Sequence, residues 1–466
     1  MSMGTRRDGL VRRRAARGFT QESLAERLEV ERSTVARWER GVGTPQPWSQ
    51  PRLAKALDIS LGTLADLLGP SRTVVATPAG RGGAPDMDAS VAGERDQSEW
   101  LRSGALGVVE PPWSLAGMMR VLHEMAGGPM DRRGFLVITG ATLTGVADRW
   151  GATVARPQAL PEPYQGRLTP AFLDQLDHRL GDLRRLDDAV GGRELRQLAV
   201  AEFRWLTQLA DDAVYTDAAG QRLFSLITEA ARICGWLHFD AGQHAAAQSY
   251  YVTALRASAT ANDTLTGANV LQCMSLQSSL TGHPTDAVSL IEAAEQRTKY
   301  AATPRLKALF ASRKAKAYAR ARDAASCGRA LTEAERCLDT ATSGTSEPDW
   351  LYFFDEAQFA AQAASSWVDL HQPTRARPLL DNALSSMAPH YIRDRAIYYG
   401  RSAHAHVHAA ELDPACDDLL TAADLARQTG SMNVLDAIRD ARAGMSRYDD
   451  EPRVQELDHH LADLST

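Results

Sequence analysis

Five octets in the second half of the chain share one pattern. A small residue, two variable residues and an apolar pair are followed by two more variable residues and a second small residue. They are AQSYYVTA (Ala247–Ala254), AVSLIEAA (Ala287–Ala294), AERCLDTA (Ala334–Ala341), ARPLLDNA (Ala376–Ala383) and CDDLLTAA (Cys416–Ala423). Their starts are 40, 47, 42 and 40 residues apart. Small residues seven apart lie two turns apart on one helix face, so two backbones can approach there, with the apolar pair filling the space between. One such helix cannot bury its apolar face alone; stacked copies can. Proline marks where these helices begin, in TGHPTDA (Thr281–Ala287), LHQPTRA (Leu370–Ala376) and LDPAC (Leu412–Cys416). A first helical turn tolerates proline because its N–H has no partner there in any case. The pattern predicts two helices per repeat, stacked into an all-α solenoid over residues 166–466.

Composition narrows the class. The 466 residues are 44% hydrophobic and 24% charged, which is ordinary for a globular protein. No apolar run approaches the roughly 18–20 residues that span a bilayer, so no membrane partner is expected. The five cysteines, Cys234, Cys273, Cys327, Cys337 and Cys416, form no Cys-x-x-Cys pair. That suits a reducing cytoplasm, with the thiols acting as small apolar residues. Charge is unevenly placed: residues 1–70 carry +4 and the remainder −10. A basic head on an acidic body points to a polyanion at the head.

Residues 5–69 read as five short helices. In GFTQESLAERLEVERSTVARWERG (Gly18–Gly41), Thr20 is placed to cap one helix, with Leu24, Ala25 and Leu28 on its apolar face. After a break at Glu29–Glu31, Val35 and Trp38 give the apolar face of the next helix, which Gly41 ends. Two short helices with so tight a turn make a helix-turn-helix. With Val35 and Trp38 inward, Arg32, Ser33, Arg37 and Arg40 point out, where a recognition helix carries its base-reading groups. Arginine takes guanine O6 and N7 in bidentate fashion. Gln21 opens the preceding helix, where its amide and the free backbone N–H groups suit a DNA phosphate.

These residues resemble the Cro/C1-type helix-turn-helix family, also called the xenobiotic-response-element family. The likeness covers about residues 6–69, on FTQESLA, STVARWERG and LAKALDISLGTLADLL. It implies a phosphate contact for Gln21, base-reading roles for Arg32, Ser33 and Arg37, and a structural ion pair between Arg14 and Glu39. Two positions depart from the family: Glu29 stands where the turn usually has glycine, and Glu31 where Ser or Thr usually caps the recognition helix. Both carboxylates should weaken phosphate binding, unless they accept from cytosine N4. The loop Gly41–Pro51 holds three prolines and Trp48, which either lines the DNA backbone or packs inward.

Residues 71–98 form a flexible linker, with no hydrophobic period from Thr77 to Arg95. A helical connector follows over 99–165, a segment for docking or dimerisation. Its DRRGFLVITGATLTG (Asp131–Gly145) looks like a twin-arginine export signal, but such a signal lies at the N-terminus and precedes a cleavage site. The better reading is a helix capped by Asp131 and starting at Arg132. Its Phe135, Leu136, Ile138, Leu143 and Val146 would be buried against the body or a second subunit. An arginine pair before an apolar run is similar to a segment of actinobacterial helix-turn-helix regulators with helical-repeat bodies.

The octets resemble tetratricopeptide repeats of a degenerate kind over about residues 220–430. Such solenoids have a groove lined by the first helix of each pair. Trp236, His238, Phe239, Trp350, Tyr352, Phe353, Phe354, Tyr398 and Tyr399 are candidates to line it, most of them as inter-repeat core. No residue is assigned to an effector. His404 and His408 share a helix face without an evident third ligand, so no metal is expected. No phosphate loop, Gly-x-Ser-x-Gly or other catalytic constellation is present, and neither an enzyme nor a cofactor is expected. The sequence therefore predicts a cytoplasmic transcriptional regulator that binds double-stranded DNA in the major groove, a repressor or pleiotropic regulator. Its tetratricopeptide-like body would form a homodimer and take a peptide or small-molecule effector. The alternative is an interaction scaffold with weak or no DNA binding.

Overall fold

The helical periodicity of the sequence is realised throughout: among the described residues there is no strand. The computed structural model describes residues 7–28, 30, 32–40, 45, 50–59, 61–68, 108–109, 111–127, 137–154, 168–190, 192–212, 215–341 and 346–465. Two compact units are present, Met1–Ser90 and Val91–Thr466. Glu29, Glu31, Trp48, the linker Thr77–Arg95 and the stretch Asp131–Leu136 lie outside the described residues.

The first unit has five helices: α1 (Asp8–Ala16), α2 (Gln21–Leu28), α3 (Arg32–Glu39), α4 (Gln50–Leu57) and α5 (Leu61–Leu68). Each is too short to be stable alone in water. They share one core of Leu10, Leu24, Leu28, Val35, Trp38 and Leu57, with leucines of α4 and α5. Thr20 Oγ1 accepts from Ser23 N–H at 3.1 Å, and Ser23 Oγ accepts from Thr20 N–H at 2.9 Å, a reciprocal cap that starts α2. Arg13 Nε donates to Leu57 O at 2.8 Å and so closes the C-terminus of α4.

In the second unit α6 (Leu115–Gly127), α7 (Gly140–Val154), α8 (Pro170–Ala189) and α9 (Gly192–Asp212) precede six helix pairs. The pairs are α10 (Asp217–Asp240) with α11 (His244–Ala261), α12 (Thr264–Leu280) with α13 (Pro284–Thr298), and α14 (Pro304–Arg320) with α15 (Ala324–Asp339). Then come α16 (Glu356–Asp369) with α17 (Pro373–Ser386), α18 (Ile392–His408) with α19 (Leu412–Ala426), and α20 (Met432–Ala443) with α21 (Pro452–Ala462). Each first helix packs on the next first helix, consistent with a solenoid.

One turn recurs within the first five pairs. Gly242, Gly282, Arg322, His371 and Ala410 all have φ between 56° and 88°. The residue after each donates its N–H to a carbonyl five positions back, as Gln243 does to His238 O (2.8 Å) and Gln372 to Trp367 O (2.9 Å). This left-handed C-terminal cap closes the first helix and aims the second.

The turn corrects the repeat register. Five residues after it, a buried small residue opens the second helix: Ala247, Ala287, Cys327, Ala376 and Ala415. The third octet therefore begins at Cys327, seven residues before Ala334, and the fifth at Ala415, one before Cys416. The residues between α15 and α16, which include a 3-10 turn at Asp349–Leu351, are the insertion that lengthens that unit.

The connector also differs from the expected helix. Residues 137–139 are not helical; α7 starts at Gly140, whose φ is +57°. Ile138 N–H donates to Gln248 Oε1 at 2.8 Å, and Gln248 Nε2 donates to Ile138 O at 3.0 Å. One buried glutamine thus supplies both backbone partners that a helix would have supplied. Asp286 Oδ2 accepts from Gly140 N–H at 2.6 Å. Ile138, Leu143, Val146 and Trp150 are buried in the body core, and Trp150 Nε1 donates to Ser258 Oγ at 2.9 Å. Val108 and Val109 are held by buried Arg256, which donates to four carbonyls, those of Val108, Val109, Pro111 and Pro112.

Candidate nucleic-acid interface and body cavity

The outer surface of α3 follows from its inner one. Val35 and Trp38 are buried in the five-helix core, which turns Arg32, Ser33, Arg37 and Arg40 outward, all exposed. Arg37 has no partner among the described residues. Arg40 Nε donates to Ala36 O, one turn back, at 3.1 Å. Arg32 instead forms an ion pair with Glu22 of α2, Nε to Oε1 2.6 Å, with both side chains more than half exposed. The face is cationic, with one of its arginines already engaged by a carboxylate.

Behind this face lies a buried junction at Glu39, the last residue of α3. Arg14 Nε donates to Glu39 Oε1 at 2.6 Å, and Gln21 Nε2 donates to Glu39 Oε2 at 2.5 Å. Arg14 also donates to Phe19 O at 2.6 Å. One carboxylate thereby joins α1, α2 and α3. The Gln21 amide nitrogen gives one of its two N–H groups to Glu39, which fixes the side chain and leaves the second N–H and the backbone N–H as donors. Reading the sequence outward from the helix face misses this, since nothing in FTQESLA distinguishes an inward glutamine from an outward one.

The body holds a second candidate site, a cavity of about 370 Å³. Its wall comes from the first helices of the pairs: Arg232 and Trp236 of α10, Gln272 of α12, Arg313 and Lys316 of α14, Gln362 and Ser365 of α16, and Asp394, Tyr398 and Arg401 of α18. Asp187 and Asp188 of α8 close it. Arg393 Nη1 donates to Asp187 Oδ1 at 2.8 Å, and Tyr352 donates to Asp188. Asp240 at the end of α10 accepts from Ser431 Oγ (2.6 Å) and Asn433 Nδ2 (3.1 Å) at the start of α20. The stack thus curls until its first pair meets its last, and the groove expected from the repeats is a cavity. Trp236, Phe239, Trp350, Tyr352, Phe353 and Tyr398 line it. His238 and Phe354 are core, and Tyr399 packs in the core of the later pairs.

Electrostatics in the cavity follow from burial. Desolvation pushes Asp188 up to about 7, against the opposing Tyr352 hydroxyl and Arg393. Burial would also raise Asp369, but Lys316 and Arg401 outweigh it and hold the carboxyl down at about 2. Lys316 is drawn down to about 8, by desolvation that its pairing with Asp369 only partly offsets. At the far end of α18, His371 Nδ1 lies 3.0 Å from His408 Nε2, and His404 stacks on His408. Among the described residues no group of three or more candidate ligands is placed to hold a metal ion, and no helix is long and apolar enough to cross a membrane.

Residues 10–64 match the family described as Helix-turn-helix. No curated protein matches the chain. The matched span takes in most of α1, the whole of α2 to α4 and half of α5, including the Glu39 junction. The N-terminal unit is therefore a Cro/C1-type helix-turn-helix domain, and the match supports a DNA-binding transcriptional regulator.

Proposed function

We propose that the chain is a sequence-specific transcriptional regulator whose α3 enters the major groove of double-stranded DNA. The observation that carries this reading is the exposed face of Arg32, Ser33, Arg37 and Arg40 on a helix fixed from behind by Val35, Trp38 and Glu39. Arg37 and Arg32 are the base readers, each suited to guanine O6 and N7; Arg40 meets the backbone. Arg14 and Glu39 hold the geometry. Because one such head reads only a few base pairs, a homodimer on two half-sites completes the site. The tetratricopeptide-like body, in the cytoplasm, supplies the second subunit contact and an effector site in its cavity. Selection of bound fragments from genomic DNA tests this: full-length protein should enrich one short two-fold motif. Arg37→Ala should lose preference at one position per half-site, a change of about 1–3 kcal/mol. Enrichment without any common motif would contradict the reading.

A further inference from the structure

Charge in the body cavity is unevenly divided. On α14 and α18, Lys316, Arg320 and Arg401 share a single carboxylate, that of Asp369: Lys316 Nζ lies 2.6 Å from it, Arg401 3.2 Å and Arg320 3.9 Å. Arg313 does not reach it. This guanidinium is buried, 6% exposed, and donates to Gln272 Oε1 at 2.9 Å and Gln362 Oε1 at 3.2 Å. Among the described residues no carboxylate lies within 4.0 Å of it. Two amide oxygens orient the cation and leave its charge in place, Asp394 acts on it only from beyond 4.0 Å, and a buried charge so incompletely compensated is costly. Among the other arginines of the body, Arg184 and Arg232 share Glu229, and Arg393 sits among Asp187, Asp188, Asp240 and Asp394, while buried Arg256 is met by four backbone carbonyls instead. Arg401, another lining residue, keeps its buried Nε without a hydrogen-bond partner among the described residues. The aspartates around Arg393 outnumber it and would repel an anion from their end. Trp236, Trp350 and Phe353 offer apolar wall.

We propose that this cavity binds a small molecule carrying one carboxylate or phosphate group. Arg313, Lys316 and Arg401 take the anionic oxygens, and the apolar or aromatic remainder lies against Trp236, Trp350 and Phe353. A volume of about 370 Å³ is that of a small-molecule site. The proposal rests on reading the body as the effector-sensing part and names the class of effector.

Calorimetry on the full chain tests it, with inorganic phosphate, phenyl phosphate and benzoate as probes and benzamide as the neutral control. At least one anionic probe should bind saturably below about 10 mM, a range accessible to fragments. That binding should weaken about ten-fold or more in Arg313→Met and in Arg401→Met, with circular dichroism confirming the fold of each; either variant alone carries the test. Tighter phenyl phosphate assigns a phosphate, tighter benzoate a carboxylate. The proposal is overturned if no anionic probe saturates, if benzamide binds as well as benzoate, or if folded variants bind as the parent does. DNA affinity measured with and without the bound probe separates the two readings: an unchanged value removes sensing while leaving the site.

Discussion

At Glu39 a single buried carboxylate sets the angle between three helices, because Arg14 and Gln21 both donate to it. Glu39→Gln leaves a buried guanidinium without its counter-ion, and about 3 kcal/mol of stability in the N-terminal unit should be lost; chemical denaturation followed at Trp38 reads it. The Arg14–Glu39 pair came from resemblance and has the expected geometry. The inward turn of Gln21 did not show in the sequence, because a helix-opening glutamine is polar whichever way it points. Glu22 was equally silent, yet it holds Arg32 by an exposed ion pair. Glu22→Gln should free Arg32 and remove a negative charge near phosphate, tightening DNA binding about three-fold at low salt, with a smaller gain at high salt; a loss of affinity would show that Glu22 contacts DNA favourably. In the body, buried His238 donates from Nδ1 to Cys234 O at 2.7 Å. Desolvation holds its pKa at about 4. Its folded pKa lies below its unfolded value near 6.5, so the unfolded chain binds the proton first and stability falls as pH drops from about 6.5 towards 4. The cost is about 2 kcal/mol at pH 5 relative to pH 7, and urea titrations at the two pH values should show a smaller difference in His238→Leu than in the parent.

Among elements, the repeat was legible because small residues seven apart leave a mark that survives sequence drift. Its register was not, because Ala330–Leu331 and Cys337–Leu338 on α15 offer the same pattern one heptad apart. Only the turn, with its left-handed residue, decides between them. Two of the five turns use glycine, while Arg322, His371 and Ala410 occupy the same conformation. Since a left-handed non-glycine residue costs roughly 1–2 kcal/mol, Ala410→Gly should stabilise the body by about 1 kcal/mol after its greater unfolded-state entropy is counted, visible as a raised denaturation midpoint. The connector shows the opposite case. Val137-Ile138-Thr139 before Gly140 is a β-branched run ending in a breaker, a signal for extended chain that the apolar helical reading passed over. Docking of α7 depends on close approach: a Cβ on Gly267 of α12 would come within 2.6 Å of the Trp150 indole. Gly267→Ala should therefore expel or tilt Trp150, at about 1–3 kcal/mol for overpacking, with a red shift of tryptophan fluorescence.

For the molecule as a whole, the division into a basic head and an acidic helical body was readable from charge and periodicity alone. The closing of the body was not. It depends on Arg393 meeting Asp187, more than two hundred residues away, and on Asp240 meeting Ser431, contacts that no local pattern encodes. Arg393→Met would leave four aspartates facing one another and should cost about 3–5 kcal/mol, whereas Arg37→Ala, exposed and without a partner among the described residues, should stay within about 0.5 kcal/mol of the parent. The proposed contact with DNA runs through the arginine face of α3, and a salt titration of full-length protein on its selected fragment tests it. The logarithm of affinity should fall linearly with the logarithm of salt concentration, with a slope reduced by about one for each phosphate contact removed. Arg32→Ala with Arg37→Ala should erase the preference over unrelated DNA while the protein stays folded. An affinity indifferent to salt, or a double variant that discriminates as well as the parent, would contradict the account.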